Sequence, residues 1–402
     1  MKFNVINITD IHWGAIDPDE QWKQLEFIFT ALRELHLNKI IIDLLVIDGD
    51  YFDCKLPLNS REALLAVKWL DRLVKECEAF GVHKMRMVQG TYSHDNNQLD
   101  VFAPLEDQRL GYTDDFNYFK IIRKTSIEEI EGVRILYCPD ELLQTDDYEM
   151  EYANEIVQLK DIGFFHGSFD VVYGELLAAK PELMEKKNVV FHYDLFNKGI
   201  KGPMLAGHWH DGKQYDDLYY TGSPTRYKFN EDEPKGISFV QYDTEDSSYF
   251  YKKILNPICP TYRTYEVYTH MYETKEDYAG ILNSIEAIFE EFEKLPNPRK
   301  NQLRIVVFVT DDKPENDVMI SSLRQLLVRH NNIKVQIKNK MKEKQKKESV
   351  KRNKEREEKF GFIYDKSKKP EETIHDFIYE NTSDHQDIPV EYIKKKMTLI
   401  KK

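Results

Sequence analysis

Short apolar runs that end in polar clusters recur along the first 255 residues of this 402-residue chain. Each run has the length of a buried strand. Between the early runs, apolar residues recur at helical spacing, as Trp22, Leu25 and Phe29 do. Because strands that alternate with helices form layered sheets, this pattern predicts an α/β fold. The predicted strands are residues 3–8, 44–47, 85–88, 133–137, 162–165 and 203–206.

Three later apolar runs, at residues 218–221, 236–242 and 249–255, follow one another without helical patterns between them. Strands connected in this way pair as antiparallel hairpins, so these runs predict a second sheet. The architecture that we expect for residues 1–257 is a four-layer α-β-β-α sandwich, in which two packed sheets lie between flanking helices.

A proline-bounded connector at residues 256–260 separates this region from a second pattern of strand, helix, strand, helix and strand. The pattern predicts a small βαβαβ domain at residues 261–337. Residues 360–402 contain two short amphipathic patterns, which predict helices that either dock on a partner or fold back on the parent domain. The predicted elements of the βαβαβ domain are residues 263–268, 274–295, 303–309, 316–330 and 333–337.

Charge is distributed unevenly along the chain. The formal net charge of −13 argues against a protein that coats nucleic acid through a generally basic surface. Residues 338–359, however, hold eleven Lys and Arg against five Glu, an excess of six, so the remainder of the chain carries −19. This charged linker is either a solvated spacer or a contact to a polyanion.

The sequence argues against several other classes of protein. The four cysteines lie far apart, which excludes a disulfide framework and a zinc knuckle. No run reaches the length of about 18 apolar residues that a membrane span needs, and the chain begins with a predicted strand rather than a signal peptide. We therefore expect a cytoplasmic protein without a membrane contact. Because no glycine-rich phosphate loop is present, we do not expect ATP binding.

Carboxylates and histidines follow directly after the predicted strands. Because the carboxyl ends of parallel strands share one edge of a sheet, we expect these side chains to lie close together. Asp10 and His12 are two residues apart and therefore point the same way. A single histidine is more often an ordinary buried or surface residue, but the ordered series predicts a site. The series is Asp10, His12, Asp50, His94, Asp95, His166, His208 and His210.

The residue types in this series predict a metal site. Mixed imidazole and carboxylate ligands suit Mn, Fe or Zn, whereas Mg and Ca prefer oxygen ligands. The ligands are too many for one tetrahedral ion, so we expect two metals bridged by a carboxylate. Such a pair stabilises charge on a phosphoryl group and lowers the pKa of a bound water. The predicted reaction class is phosphoester hydrolysis.

At these residues the sequence resembles the calcineurin-like metallophosphoesterases, whose signature runs D-x-H, GD, GNHD, H, GHxH. Within that superfamily it resembles the SbcD-type nucleases of DNA double-strand-break repair, particularly phage-encoded members. Residues 220–224 and 231–236 are similar to the strand and loop that follow GHxH in that branch. Residues 261–337 resemble its DNA-capping domain, and residues 360–402 resemble its ATPase-docking helices.

The resemblance implies two divalent metal ions, Mn²⁺ in that branch, that share one bridging carboxylate. The bridge would be Asp50. The implied ligands are Asp10, His12 and His210 for one metal, and His166 and His208 for the other.

The resemblance also implies that His94, oriented by Asp95, neutralises the scissile phosphate or protonates the leaving oxygen. One position departs from the family pattern. Where GNHD supplies an asparagine to the second metal, Ser93 precedes His94, and Gly90 lies two residues further from the histidine than in the family. A serine hydroxyl is a weaker ligand than an amide oxygen, so the second site would be looser, filled by water, or occupied only with substrate.

Three functions remain open on these residues. The resemblance implies a manganese-dependent DNA nuclease, with exonuclease activity on duplex ends and endonuclease activity on single strands. It would pair as a homodimer and act with an SbcC-type ABC ATPase in DNA repair and recombination. The alternatives are a DNA-clamping scaffold subunit that regulates the ATPase, and a phosphodiesterase for small substrates. Ser93 is the signal for the scaffold, but the six other ligands persist, which favours the nuclease. The capping-like domain favours the nuclease over the small-substrate enzyme.

Overall fold

A computed structural model describes most of the first 339 residues. The described residues are 1–106, 118–141, 145–172, 174, 190–229, 231, 233–269, 275–294, 301–309, 314–329 and 333–339. The predicted helices at 360–402, and all but the first two residues of the charged linker, lie outside the described residues. What the sequence predicts for those segments stays a prediction.

Strands and helices alternate along the early part of the chain. The strands are β1 (Lys2–Thr9), β2 (Leu44–Asp48), β3 (Lys84–Val88), β4 (Phe119–Ile122), β5 (Ser126–Ile130), β6 (Val133–Cys138), β7 (Ile162–His166), β8 (Ser168–Phe169), β9 (Val190–Phe191), β10 (Met204–Gly207), β11 (Lys213–Tyr215), β12 (Leu218–Tyr220), β13 (Gly236–Asp243), β14 (Tyr249–Leu255), β15 (Tyr262–Tyr268), β16 (Gln302–Val309) and β17 (Ile333–Asn339). The helices are α1 (Pro18–Leu37), α2 (Arg61–Ala79), a 3₁₀ helix (Asn96–Phe102), α3 (Ala103–Glu106), α4 (Thr145–Glu151), α5 (Ala153–Val157), α6 (Tyr193–Asn197), α7 (Lys275–Glu293) and α8 (Pro314–Arg329). Among these described helices, none combines the length and the apolar character needed to cross a bilayer.

Helices α1 and α2 begin at residues whose side chains suit the first turn. The Asp17 carboxylate accepts a hydrogen bond from the Glu20 amide at 3.0 Å, and Pro18 follows at a position where an N–H would have no helical partner. Ser60 accepts a hydrogen bond from the Ala63 amide at 3.1 Å in the same way. Each cap satisfies an amide that the helix itself leaves unpaired.

The first sheet has the strand order β14-β13-β1-β2-β3-β4. Strands β1 to β4 run parallel, and at their carboxyl ends Thr9 lies opposite Asp48, which lies opposite Val88. Helices connect β1 to β2 and β2 to β3, as parallel neighbours require. The residues that follow β1, β2 and β3 therefore leave the sheet at the same edge.

The second sheet has the strand order β11-β12-β10-β7-β6-β5, and β6, β7, β10 and β12 run parallel in it. The expectation that the three later runs form a sheet of hairpins is wrong. Strand β12 lies in the second sheet, but β13 pairs antiparallel with β1 and brings β14 into the first sheet. This pairing extends from Lys2 opposite Asp243 to Asn7 opposite Ser238, and it covers an edge of β1 that would otherwise be open.

Three buried apolar clusters cover the faces of the two sheets. One cluster contains residues of both sheets, among them Val5 and Val46 of the first and Phe164 and Leu205 of the second. Another joins the first sheet to α1 and α2, and the third joins the second sheet to α4, α5 and α6. Since strands such as β2 are buried on both faces, they are continuous apolar runs. The chain is a mixed α/β protein with parallel strands in both sheets.

A three-stranded sheet of order β15-β16-β17 follows, and α7 and α8 lie between its strands in the sequence. The element order is the predicted one, with each bound within two residues of its predicted position. The chain divides into two compact units. One comprises the described parts of Met1–Thr264, Glu286–Arg304 and Asn332–Lys334, and the other comprises the described parts of Tyr265–Ile285, Ile305–Asn331 and Val335–Lys402.

Replacing Phe164 with alanine should destabilise the protein strongly. Phe164 is fully buried in the cluster that both sheets share, and it stacks on Tyr137 with the ring centroids 5.6 Å apart. We expect the free energy of unfolding to fall by about 3–5 kcal/mol, because the substitution leaves a cavity. Urea denaturation measures this change. The matched control is Phe250→Ala, since Phe250 is 55% exposed and should lose less than about 1 kcal/mol. Equal losses would contradict this assignment of the core.

Candidate metal centre

The structure brings seven of the predicted residues together where strands of both sheets end. Strands β1, β2 and β10 end within two residues of Asp10, Asp50 and His208, and His166 is the last residue of β7. His94 lies in the turn that follows β3. The ligand atoms form three groups, within each of which all atoms lie within 4.8 Å of one another: Asp10, His12 and His210; His12, Asp50 and His94; and Asp50, His166 and His208.

Asp50 belongs to two of these groups and lies between them. Its Oδ2 atom is 3.7 Å from His12 Nε2, and its Oδ1 atom is 3.1 Å from His166 Nε2. The carboxylate is buried, so water does not offset its charge. On the other side of His12, the Nε2 atoms of His12 and His210 are 2.8 Å apart. This placement suits a carboxylate that bridges two cations.

Four residues of the cluster have positive φ angles, which are unfavourable for residues other than glycine. The angles are 53° at Asp10, 49° at His12, 46° at Asp50 and 87° at His208. Such conformations cost of order 1–3 kcal/mol each, and they persist where the surrounding structure imposes them. Because four such angles occur in this one cluster, the strained backbone conformations direct these side chains toward a common site.

Two glycines allow the strand ends to approach closely. A Cβ atom on Gly49 would lie 1.9 Å from His166 Nδ1, and the φ angle of 75° at Gly49 also favours glycine. A Cβ atom on Gly90 would lie 2.0 Å from the backbone nitrogen of Asp50. Glycine is therefore required at both positions, because a side chain would clash with His166 at Gly49 and with Asp50 at Gly90.

Three buried polar atoms of the cluster form no hydrogen bond within the described part of the chain. They are Asp10 Oδ2, His166 Nε2 and His12 Nδ1. His166 Nε2 lies 3.1 Å from Asp50 Oδ1 without hydrogen-bond geometry, and His12 Nδ1 lies 3.5 Å from Asp53 Oδ1. Buried polar atoms without partners are costly and uncommon. A cation among the ligand groups would satisfy Asp10 Oδ2 and His166 Nε2, and mixed imidazole and carboxylate ligands suit Mn, Fe or Zn. The residues present can therefore hold a metal ion.

Burial and neighbouring charges set the protonation of the cluster. Burial lowers the pKa of His12 well below its ordinary value and the pKa of His208 to about 4. Burial alone would raise the pKa of Asp50 and lower that of His166. Their mutual attraction reverses both shifts, so the pKa of Asp50 is lowered and that of His166 is raised. Neutral imidazoles and ionised carboxylates bind metals, so His12, His208 and Asp50 are ready to do so at pH 7.

The structure orients His94 through a different group from the predicted one. The Nδ1 atom of His94 hydrogen-bonds to the carbonyl oxygen of Asp53. Asp95 instead accepts hydrogen bonds from the amides of Phe52 and Gly90, at 3.1 and 2.7 Å. Through these two hydrogen bonds, the fully buried Asp95 side chain connects the turn after β2 to the turn after β3. His94 is partly exposed. Asp95 thus supports the turn that carries His94 rather than the imidazole itself.

Thr91 carries a hydroxyl that reaches the second group, and sequence reasoning selected Ser93 instead. Thr91 Oγ1 lies 3.3 Å from both Asp50 Oδ2 and His208 Nδ1, and the Thr91 amide donates to Asp50 Oδ1 at 2.6 Å. Ser93 is exposed. When the motif is aligned on its histidine, the position of the ligand falls on Ser93. Gly90, however, packs directly on Asp50, so the residue after it, Thr91, is the one that reaches the site. Spacing from the glycine was the signal that could have identified Thr91.

No family model and no curated protein matches this chain. Among solved structures, wild-type Vps29 from Entamoeba histolytica, complexed with Zn²⁺, is 12% identical, with a TM-score of 0.22 over 63% of this chain and 99% of that chain. Glutamine-dependent NAD⁺ synthetase from Acinetobacter baumannii, in complex with ADP, is 9% identical, with a TM-score of 0.28 over 91% of this chain and 69% of that chain. Neither similarity is close enough to carry an argument, so the chemistry of the centre rests on its own residues.

The Thr91 hydroxyl should contribute to cation binding, and the Ser93 hydroxyl should not. We expect Thr91→Val to weaken the binding of one of two Mn²⁺ ions about tenfold, because Asp50 and His208 lose a shared hydrogen-bond partner. Calorimetric titration of the metal-free protein measures this affinity. Ser93→Ala is the matched control and should bind Mn²⁺ as the parent does. A loss at Ser93 together with none at Thr91 would reverse this assignment.

Proposed function

We propose that this protein is a metal-dependent phosphodiesterase that digests DNA with two divalent cations, Mn²⁺ being the expected metal. The observation that carries the proposal is the pair of ligand groups that share Asp50. Two cations, when bound, lower the pKa of water and offset the charge that develops on a phosphoryl group. The first cation site would consist of Asp10, His12 and His210, which form one ligand group, and the second of His166 and His208, which form a group with Asp50. Asp50 also forms a group with His12 and would therefore be shared by the two sites.

The chain's own contribution to this chemistry is to hold the ligands in place. Asp10 Oδ1 accepts a hydrogen bond from the His208 amide at 2.8 Å. The Nδ1 atom of His166 lies 3.0 Å from the carbonyl oxygen of Asp48. Because a carbonyl oxygen only accepts, Nδ1 of His166 carries a proton and Nε2 faces Asp50. Ligands fixed in this way need little reorganisation when a substrate reacts.

His94 would act on the substrate. Its Nδ1 proton is donated to the Asp53 carbonyl, which leaves Nε2 as the reactive nitrogen. The ring is partly exposed and lies edge-on to His12, with the centroids 4.8 Å apart. When Nε2 is also protonated, the imidazolium can neutralise a phosphate or donate a proton to the leaving oxygen. Its partial exposure suits this role.

The remaining parts of the proposal follow the sequence resemblance. Two sheets with a shared buried cluster and helices on their other faces fit a four-layer metallophosphoesterase sandwich. Residues 261–337 would cap DNA, and residues 360–402 would dock an SbcC-type ABC ATPase. A homodimer of nuclease subunits would act in DNA repair and recombination in the cytoplasm, on duplex ends as an exonuclease and on single strands as an endonuclease.

Purified protein should digest end-labelled duplex DNA with Mn²⁺, and EDTA should stop the digestion. We expect His94→Ala to slow digestion by about 10²–10⁴-fold, the range typical of a lost general acid. Denaturing gels over a time course measure the rate. His83→Ala is the matched control, because the His83 side chain is 44% exposed away from the ligand groups, and it should digest at the parent rate.

Three outcomes would change this proposal. Digestion by His94→Ala at the parent rate would contradict the role of His94. Hydrolysis of mononucleotides or small phosphodiesters with DNA untouched would identify a small-substrate enzyme. Fewer than one tightly bound metal per chain, with no hydrolysis at any Mn²⁺ concentration, would favour the scaffold subunit.

A further inference from the structure

A buried carboxylate outside the predicted series contacts one of the site histidines. Glu231 Oε1 lies 2.7 Å from His210 Nδ1, and Glu231 is only 6% exposed. The two residues are 21 positions apart, and Glu231 lies in the loop between β12 and β13. Neither spacing nor periodicity pairs them in the sequence.

The second oxygen of Glu231 is occupied as well. Oε2 accepts a hydrogen bond from the Tyr227 amide at 3.0 Å and lies 3.3 Å from Lys235 Nζ. The Lys235 side chain is fully buried, and its ammonium group also donates to the His210 carbonyl oxygen at 2.7 Å. One buried cation therefore offsets the carboxylate and fixes it relative to the backbone of His210.

Arg226 holds the loop that carries Glu231. Its buried guanidinium donates hydrogen bonds to the carbonyl oxygens of Glu231, Glu233 and Pro260. Charge-assisted hydrogen bonds of this kind are stronger than those between neutral groups. The position of Glu231 is therefore set by the loop as well as by His210.

The carboxylate determines the tautomer of His210. Because an ionised carboxylate only accepts hydrogen bonds, the imidazole proton lies on Nδ1, and Nε2 keeps its lone pair. That lone pair faces His12 Nε2 at 2.8 Å, within the group that contains Asp10. The Nδ1 atoms of His166 and His208 instead lie beside an uncharged carbonyl and an uncharged hydroxyl.

We propose that Glu231 is a positioning residue that tunes the first cation site through the imidazole of His210. A carboxylate acceptor fixes the ring and makes the imidazole a stronger ligand, and groups of this kind commonly change metal affinity 10–100-fold. The first cation site would therefore depend on the loop between β12 and β13 that carries Glu231. The histidines of the second site have their Nδ1 atoms beside Asp48 and Thr91 instead. The inference rests on the proposed metal centre but not on DNA as the substrate.

Two substitutions separate the hydrogen bond from the charge. We expect Glu231→Ala to weaken Mn²⁺ binding at the first site about 10–100-fold and to leave the second site within about threefold of the parent. Glu231→Gln keeps an oxygen that can accept from Nδ1, so its loss should stay below about tenfold. Calorimetric titration measures both affinities. Glu233→Gln is the matched control, because Glu233 is exposed in the same loop, and it should bind as the parent does.

The tautomer of His210 provides a second measurement that needs neither metal nor substrate. NMR of metal-free protein with ¹⁵N-labelled histidine distinguishes the two nitrogens at a pH where the ring is neutral. We expect the Nδ1–H form in the parent and in Glu231→Gln, and a mixture of tautomers in Glu231→Ala. The variant His210→Asn identifies the resonance.

Parent affinities at both sites in Glu231→Ala, or an unchanged tautomer, would overturn the inference. Equal losses at both sites, with a lower melting temperature of the metal-free variant, would also overturn it, because they would show that Glu231 only supports the fold. If the parent binds two cations and Glu231→Ala weakens one, but DNA stays intact, the proposed nuclease function fails and the inference stands. A parent that binds no cation overturns both.

Discussion

The candidate centre depends on one buried charge, the carboxylate of Asp50, which lies between histidines from two sheets. His12 approaches it from the first sheet and His166 from the second. A buried charge is costly unless a positive group compensates it, so this meeting point requires either a protonated histidine or a cation. The positive φ angle at Asp50 and the close approach of Gly49 to His166 serve the same requirement. They bring ligand atoms within reach of one another at the cost of local strain.

The two proposed cation sites on either side of Asp50 differ in how their histidines are held. On one side, His210 is bound by the carboxylate of Glu231, which is itself paired with buried Lys235. On the other side, His208 lies beside the hydroxyl of Thr91, a neutral and weaker partner. Since the partner of an imidazole changes its strength as a ligand, the two sites are chemically unequal. A pair of this kind can hold one cation firmly while the other exchanges more readily.

Sequence patterns predicted those strands and helices that are determined by residues close together in the chain. The six early strands lie within one residue of their predicted bounds, because burial makes most of their residues apolar. Strand β5, with the sequence SIEEI, was not predicted because its residues are partly exposed and charged. The pairing of β13 with β1, and the contacts of Thr91 and Glu231, depend on residues far apart in the chain. No pattern within a short segment of the sequence specifies such contacts. The candidate ligands themselves lie in short motifs, so the sequence could predict them.

The most direct test is anomalous X-ray diffraction at the manganese edge from crystals grown with Mn²⁺. The account predicts two peaks about 3.5–4 Å apart, one on each side of the Asp50 carboxylate. The nearest ligand atoms should belong to His12 and His210 at one peak, and to His166 and His208 at the other. Peaks elsewhere in the molecule, or no bound manganese at all, would contradict the central claim that these side chains form a binuclear metal site.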